Sequence, residues 1–238
     1  MPLFSFHLAK TTIATTLSAL TRPPTPDRVP GLRRAECMTV MALGSPIVSP
    51  ARMQLRHLAL FASWDDARAL DAFLADTPLG RTCALGWHVR LEFLRRWGHV
   101  SEFDGLPARA GEVEPAAPVV AVTLARLRLT EVPRFIRWGR PVEELVRDHP
   151  GTTLALAAMR PPRTVSTFSV WRSQREMLEM VRGQPSIAGA ERHATAMAER
   201  TRRDFHDEFT TLRFRALAEH GSWDGRREIV PRASESRG

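Results

Sequence analysis

"LALFASWDDARALDAFL", Leu58 to Leu74, and "VSTFSVWRSQREMLEMV", Val165 to Val181, write one pattern twice. Phe61 falls on Phe168 and Trp64 on Trp171. In both, a short strand-like run leads up to the tryptophan, and apolar residues three and four apart follow it. That second pattern has the period of a helix. A strand that ends at a tryptophan and leads into a helix, present in two copies, marks the chain as a duplication.

The repeat extends in both directions. Upstream, His7 stands opposite Thr123 and Lys10 opposite Arg126, an offset of 116 that also joins "MTVMALGSP" at Met38 to "LALAAMRPP" at Leu154. The first copy then carries a short insertion, "IVSPARMQL". Downstream, "RLEFLRRWGHVSEFDG", ending at Gly105, matches "LRFRALAEHGSWDG", ending at Gly225. This places Phe93 on Phe214 and Phe103 on Trp223, and both copies close on an aromatic-Asp-Gly turn.

Each copy reads strand, helix, strand, strand, helix, strand. In the second copy this predicts strands over 119–129, 152–158, 164–171 and 210–218, with helices over 132–147 and 174–203. That order is the ferredoxin-like split βαβ unit. The expected organisation is a first repeat over 1–105, a small, Pro-rich and acidic linker over 106–118, a second repeat over 119–225, and a flexible basic tail over 226–238. A four-stranded sheet with helices on one face must cover the other. The fold expected is therefore α+β: tandem ferredoxin-like repeats packed sheet to sheet as a single-chain version of the dimeric α+β barrel, with a cavity between sheet and helices.

Composition excludes several classes of function. The chain of 238 residues carries a net charge of +8, but the basic residues are arginines apart from Lys10 and are scattered between acids. Nucleic acid, which selects a basic stripe, is not an expected partner. Cys37 and Cys83 lack any metal-ligand or disulfide spacing, which fits a reducing cytoplasm. "MPLFSFHLAK" has no signal-peptide character and no apolar run approaches a membrane span, so a cytoplasmic protein is expected, with peripheral membrane contact left open. No Ser-His-Asp order, phosphate loop or dinucleotide fingerprint is present.

The second copy exceeds the first by roughly a dozen residues between its tryptophan and its last strand, and the extra length contains His193. In "ERHATAMAERTRRDFHDEFTTLRF", Glu191 to Phe214, helical spacing places His193 with Ala190, Ala194 and Met197, while Arg192, Glu199, Arg202 and Arg203 fall opposite. Such a histidine is either a core residue donating to a carbonyl or a metal ligand whose alanine neighbours leave room for a flat group such as a porphyrin. His206 is expected at the helix end, where its charge suits the macrodipole. Trp171 shares a strand face with Ser169 and Thr167 and is a candidate cavity wall.

The second copy resembles the spheroidene monooxygenase family of haem-associated oxygenases. The resemblance is carried by "RFIRW" at Arg134 to Trp138, "TFSVW" at Thr167 to Trp171, His193, "DEFTTLRF" at Asp207 to Phe214 and "GSWDG" at Gly221 to Gly225. It implies haem b held by His193 as axial iron ligand, with Met197, Trp171 and Phe214 in the cofactor site. It also implies a monooxygenase acting on a small apolar molecule, carotenoid-like or from secondary metabolism, supplied with electrons by a donor protein. Where relatives carry an aromatic, lysine-containing strand, this chain has "ECMTVMALG", Glu36 to Gly44, which alters the expected cavity lining. Alternatives on the same scaffold are a haem lyase of aldoxime-dehydratase type, a cofactor-free oxygenase and a non-catalytic haem- or ligand-binding barrel. A homodimer is compatible with the sequence but not required by it.

Overall fold

The computed structural model describes residues 2–44, 52–112, 114–182, 195, 198–199 and 201–232. In chain order they form β1 (Leu3–Lys10), α1 (Ile13–Thr21), β2 (Leu32–Met41), β3 (Gln54–Trp64), α2 (Ala67–Asp76), α3 (Pro78–Ala84) and β4 (Trp87–His99). The second half follows as β5 (Val119–Leu127), α4 (Val132–Asp148), β6 (Thr152–Arg160), β7 (Thr164–Trp171), α5 (Gln174–Arg182) and β8 (His206–Gly221). Capping side chains set the first helices: Thr12, Asp66 and Thr77 each accept a backbone N–H three residues on, as N-caps do.

The strands close into an antiparallel barrel in the order β1-β3-β2-β6-β7-β5-β8-β4. Each repeat contributes one ferredoxin-like sheet, β4-β1-β3-β2 and β6-β7-β5-β8, and two seams join them. The long seam pairs β4 with β8 from Trp87↔Gly221 to His99↔Phe209; the short one pairs β2 with β6 from Thr39↔Met159 to Met41↔Ala157. Closure leaves neither sheet with a free edge. The α+β fold of tandem ferredoxin-like repeats is thus the one the duplicated sequence predicts.

Register tests the duplication residue by residue. Leu3 faces Trp64 in the first sheet and Val119 faces Trp171 in the second, so the offset of 116 holds. The last strands differ from expectation. Phe4 pairs with Leu91 and Val120 with Phe214, which makes Leu91 the counterpart of Phe214. Phe93 is instead Phe214's cross-strand neighbour in the long seam. A slip of two residues leaves every side chain on its own face, so alternation alone does not reveal it.

The barrel interior is filled. Phe4, Phe6, Leu8, Phe61, Phe93, Phe168 and Phe214 are all buried in one cluster, and the rings of Phe6 and Phe168, one from each repeat, stack at 3.8 Å. The aromatic-Asp-Gly turns cover the two mouths. Phe103 lies against Phe4 and Phe61, and Trp223 meets His57 edge-on at 5.3 Å. Beside Phe103 a cavity of ≈ 20 Å³ lined by Arg34, Glu36 and Glu102 remains, room for one water. Glu36 is clamped there by Arg160 at 2.6 Å and Arg126 at 3.3 Å. Burial pushes its carboxyl pKa up despite both arginines.

Several expected boundaries move. The predicted helix over 174–203 is observed as Gln174–Arg182 and again as helix at Thr195, Ala198, Glu199, Thr201 and Arg202, with 183–194, 196–197 and 200 outside the described residues, and β8 is longer at both ends than the predicted 210–218. The linker does not cross solvent: Ala110 N–H donates to Leu94 O and Arg96 N–H to Ala108 O, laying it along β4. The first part of the tail is anchored, because Ile229 is buried and the Ile229 and Val230 amides donate to the Glu219 carboxylate. Among the described residues no helix is long and apolar enough to cross a membrane.

Candidate functional site

Among the described residues, the outer faces of the two sheets are covered unequally. Beneath α1, α2 and α3, the first sheet presents Cys37, Leu58, Leu60 and Trp64, which pack with Leu70, Phe73 and Cys83 into a closed apolar layer. The second sheet has a smaller layer, Val119, Trp171, Leu145, Met177 and Met180, confined to one end under α4 and α5.

Beyond that layer, pairing aligns two rows of side chains across the face. One row runs Ala157, Thr167, Thr123, Thr211, Trp97, and the next runs Ala155, Ser169, Ala121, Arg213, Arg95. Thr167 is exposed in the middle of its strand; Thr123 and Thr211 are half-buried, their hydroxyls 3.4 Å apart. The first-repeat counterparts of these three threonines, Leu60, His7 and His88, are all buried. The second sheet therefore offers a shelf of small and hydroxyl side chains where the first offers a packed layer.

Met41 and Leu43 border the shelf, packing with Ala157. The stretch "ECMTVMALG" thus reaches the site only at its end, since Met38 and Val40 lie in the filled interior and Glu36 at the barrel mouth. The same segment anchors α4. Glu143 accepts both guanidinium nitrogens of Arg52, at 2.7 and 2.9 Å, and the Gly44 N–H at 3.0 Å, while Arg147 donates to Leu43 O.

At the opposite border, the guanidinium groups of Arg213 and Arg95 lie 4.3 and 4.4 Å from the ring of Trp97. Arg213 donates to the Gln174 side-chain oxygen at 3.3 Å, and its Nε is shielded from water without an acceptor. No carboxylate among the described residues pairs with it. Burial first, and then the Arg95 charge, lower its pKa to about 10, so it stays cationic at neutral pH.

His193 and Met197 lie outside the described residues. Trp171 is buried beneath α5, its Nε1–H donating to Ser169 Oγ at 2.8 Å. Phe214 is in the barrel interior, on the other side of the sheet from Trp171. One cofactor site on the outer face cannot include both, and the expected role of Phe214 there does not fit its position. His206 is not a helix cap: it opens β8, buried among Phe135, Phe205 and Phe209, with Nδ1 2.9 Å from Asp204. No group of three or more His, Cys, Asp or Glu side chains among the described residues could hold a metal ion. Sequence alone gave Thr123, Thr211, Arg95 and Trp97 no part in a site, because their adjacency depends on pairing between strands far apart in the chain.

No family model matches the sequence. The chain is 30% identical over 171 residues to spheroidene monooxygenase of Rubrivivax gelatinosus, a match covering 71% of this chain and 63% of that protein, less than two thirds of its length. Among solved structures, an anthrone oxidase-like protein aligns over 92% of each chain at 16% identity with a TM-score of 0.35. The heme-degrading enzyme LmHde of Listeria monocytogenes aligns over 87% of this chain and 98% of its own at 11% identity, with a TM-score of 0.29. By its sequence match, this duplicated α+β barrel is similar to spheroidene monooxygenase over 171 residues.

Proposed function

We propose that the chain is an oxidoreductase of the monooxygenase type, acting on a small apolar molecule over the outer face of the second sheet with haem b as cofactor. The observation that carries this is the shelf itself: among the described residues, the repeat with the matching motifs leaves part of its outer face uncovered beyond α4 and α5, and the other repeat closes the same face with helices. The residues present fit a flat group. Ala121, Thr123, Thr167 and Thr211 raise no bulky side chain above the strands, and a guanidinium without a carboxylate partner among the described residues stands at the edge. His193 would hold the iron, with Met197, four residues on in the sequence, beside the cofactor. Haem, when bound, supplies oxygen activation and a path for electrons. The chain's part is to orient and to exclude water: threonine hydroxyls provide hydrogen-bonding points beneath an apolar ligand, and the filled barrel seals the site from below.

The test begins with protein produced under haem supply. His193→Ala is expected to abolish the Soret band while far-ultraviolet circular dichroism is retained; a retained band would remove His193 as the ligand. Given an electron donor and labelled dioxygen, the wild-type chain should place one oxygen atom in a carotenoid-like product. Conversion that needs neither oxygen nor electrons would favour a lyase instead, and a haem spectrum that no ligand perturbs would leave a carrier.

A further inference from the structure

The duplication carries its own control for Arg213. Ala121 pairs with Arg213 as its counterpart Ser5 pairs with Arg90, so the two arginines occupy one position of the repeat. Arg90 has a counter-ion: its Nη2 is 2.6 Å from Asp71 on α2. Asp71 stands seven residues after Trp64, and seven residues after Trp171 stands Leu178, which packs in the apolar layer under α5. The second repeat has kept the guanidinium and lost its carboxylate.

The surroundings make that loss costly. Arg95 is directly opposite Arg213 across the β4·β8 ladder, an arrangement in which like charges repel. Trp97 offsets part of this through its ring, and Gln174 fixes the guanidinium without neutralising it. The Nε–H is orphaned in Arg90 as well, so what sets Arg213 apart is a partly desolvated cation without a carboxylate among the described residues, an unfavourable element of a finished core and a ready element of a binding site. It borders the shelf, in the same row as Ala121 and Ser169.

We propose that Arg213, supported by Arg95, seats a carboxylate of the ligand that lies on the second sheet's outer face, doing for that ligand what Arg90 does for Asp71. The inference rests on the proposed function only in placing a ligand on this face. The lowered pKa of Arg213 accords with a site that awaits an anion. Two sources supply the same chemistry: the propionates of a porphyrin, or an acid group on the substrate.

Full-length chain purified without haem is titrated with haemin, haemin dimethyl ester, dodecanoate and dodecanol. Haemin binding at least about tenfold more tightly than its ester, the scale of a charge-assisted hydrogen bond, with the preference erased in Arg213→Gln, assigns the seat to the cofactor. Equal binding of haemin and ester, with dodecanoate preferred over dodecanol by a similar factor and Arg213→Gln erasing that preference, assigns it to the substrate. Neither preference in the wild type, or either persisting in Arg213→Gln, overturns the proposal. Leu178→Asp provides a second variant: handing Arg213 the partner that Arg90 has should remove the same preference without removing the arginine. If haemin fails to bind at all, the cofactor reading falls, while the dodecanoate arm still decides the role of Arg213.

Discussion

Three imidazoles lie in a row across β1, β4 and β8, His7 on His88 at 5.1 Å and His88 on His220 at 4.7 Å. His7 is fully buried, and both ring nitrogens of His88 are out of water without a partner. Burial, and then His88, hold the His7 pKa well below the ordinary imidazole value; burial, and then His220, push His88 down to about 4. Below about pH 6.5 the unfolded chain takes up protons that the folded chain resists. The contribution of His88 is therefore complete above pH 6.5, declines as the pH falls towards 4 and changes little below that, while that of His7 also declines as the pH falls below 6.5. For His88 alone the full decline is roughly 3 kcal/mol. Urea unfolding between pH 7 and 4.5 should show the loss, and His88→Leu should flatten the slope; an unchanged slope would assign the acid sensitivity elsewhere. None of this row was legible in the sequence, where His7, His88 and His220 stand apart and only pairing between strands stacks them. Arg213 lay within the stretch that carries the resemblance, but its place beside Thr123, Thr211 and Arg95 was hidden for the same reason, whereas Trp171 with Ser169 and Thr167 could be grouped because one strand carries all three.

Elements with a strong period were legible: β7 is observed as predicted, and α4 ends one residue later than expected. The start of β8 was not, because "HDEF" shows no clean alternation and its position comes from pairing with β5, where His206 meets Leu127. The position of α4 likewise depends on a tertiary anchor. Glu143 and Arg52 are about nine-tenths buried as side chains, so removing the carboxylate strands a cation and frees the Gly44 amide. Glu143→Ala is expected to cost roughly 3 kcal/mol and to raise amide hydrogen exchange along α4 more than along α2. A loss below 1 kcal/mol, or exchange rising equally in both helices, would show that the anchor does not position α4. Since α4 borders the shelf, ligand affinity should fall with it.

The whole barrel was legible through duplication, since two sheets each bare on one face have each other as the nearest cover. What duplication could not give was the shift of two residues in the last strands, which preserves every inside and outside position. Closure predicts how the halves behave apart. Residues 119–238 expressed alone expose the inner face of one sheet, including Phe168 and Phe214, and should sediment as a homodimer built on the same two seams or fail to stay soluble; a folded monomer would mean that the second repeat does not need its partner. The unequal outer faces bear on numbers as well as on geometry. A barrel built from two identical chains must keep two identical sites, and each can influence the other across its axis. Here one chain spans both halves, and among the described residues helices cover the outer face of the first more fully than that of the second. Occupancy should reach one ligand per chain along a simple hyperbola with a Hill coefficient of about one, so every later change in the open half is free to sharpen selectivity without a twin to preserve.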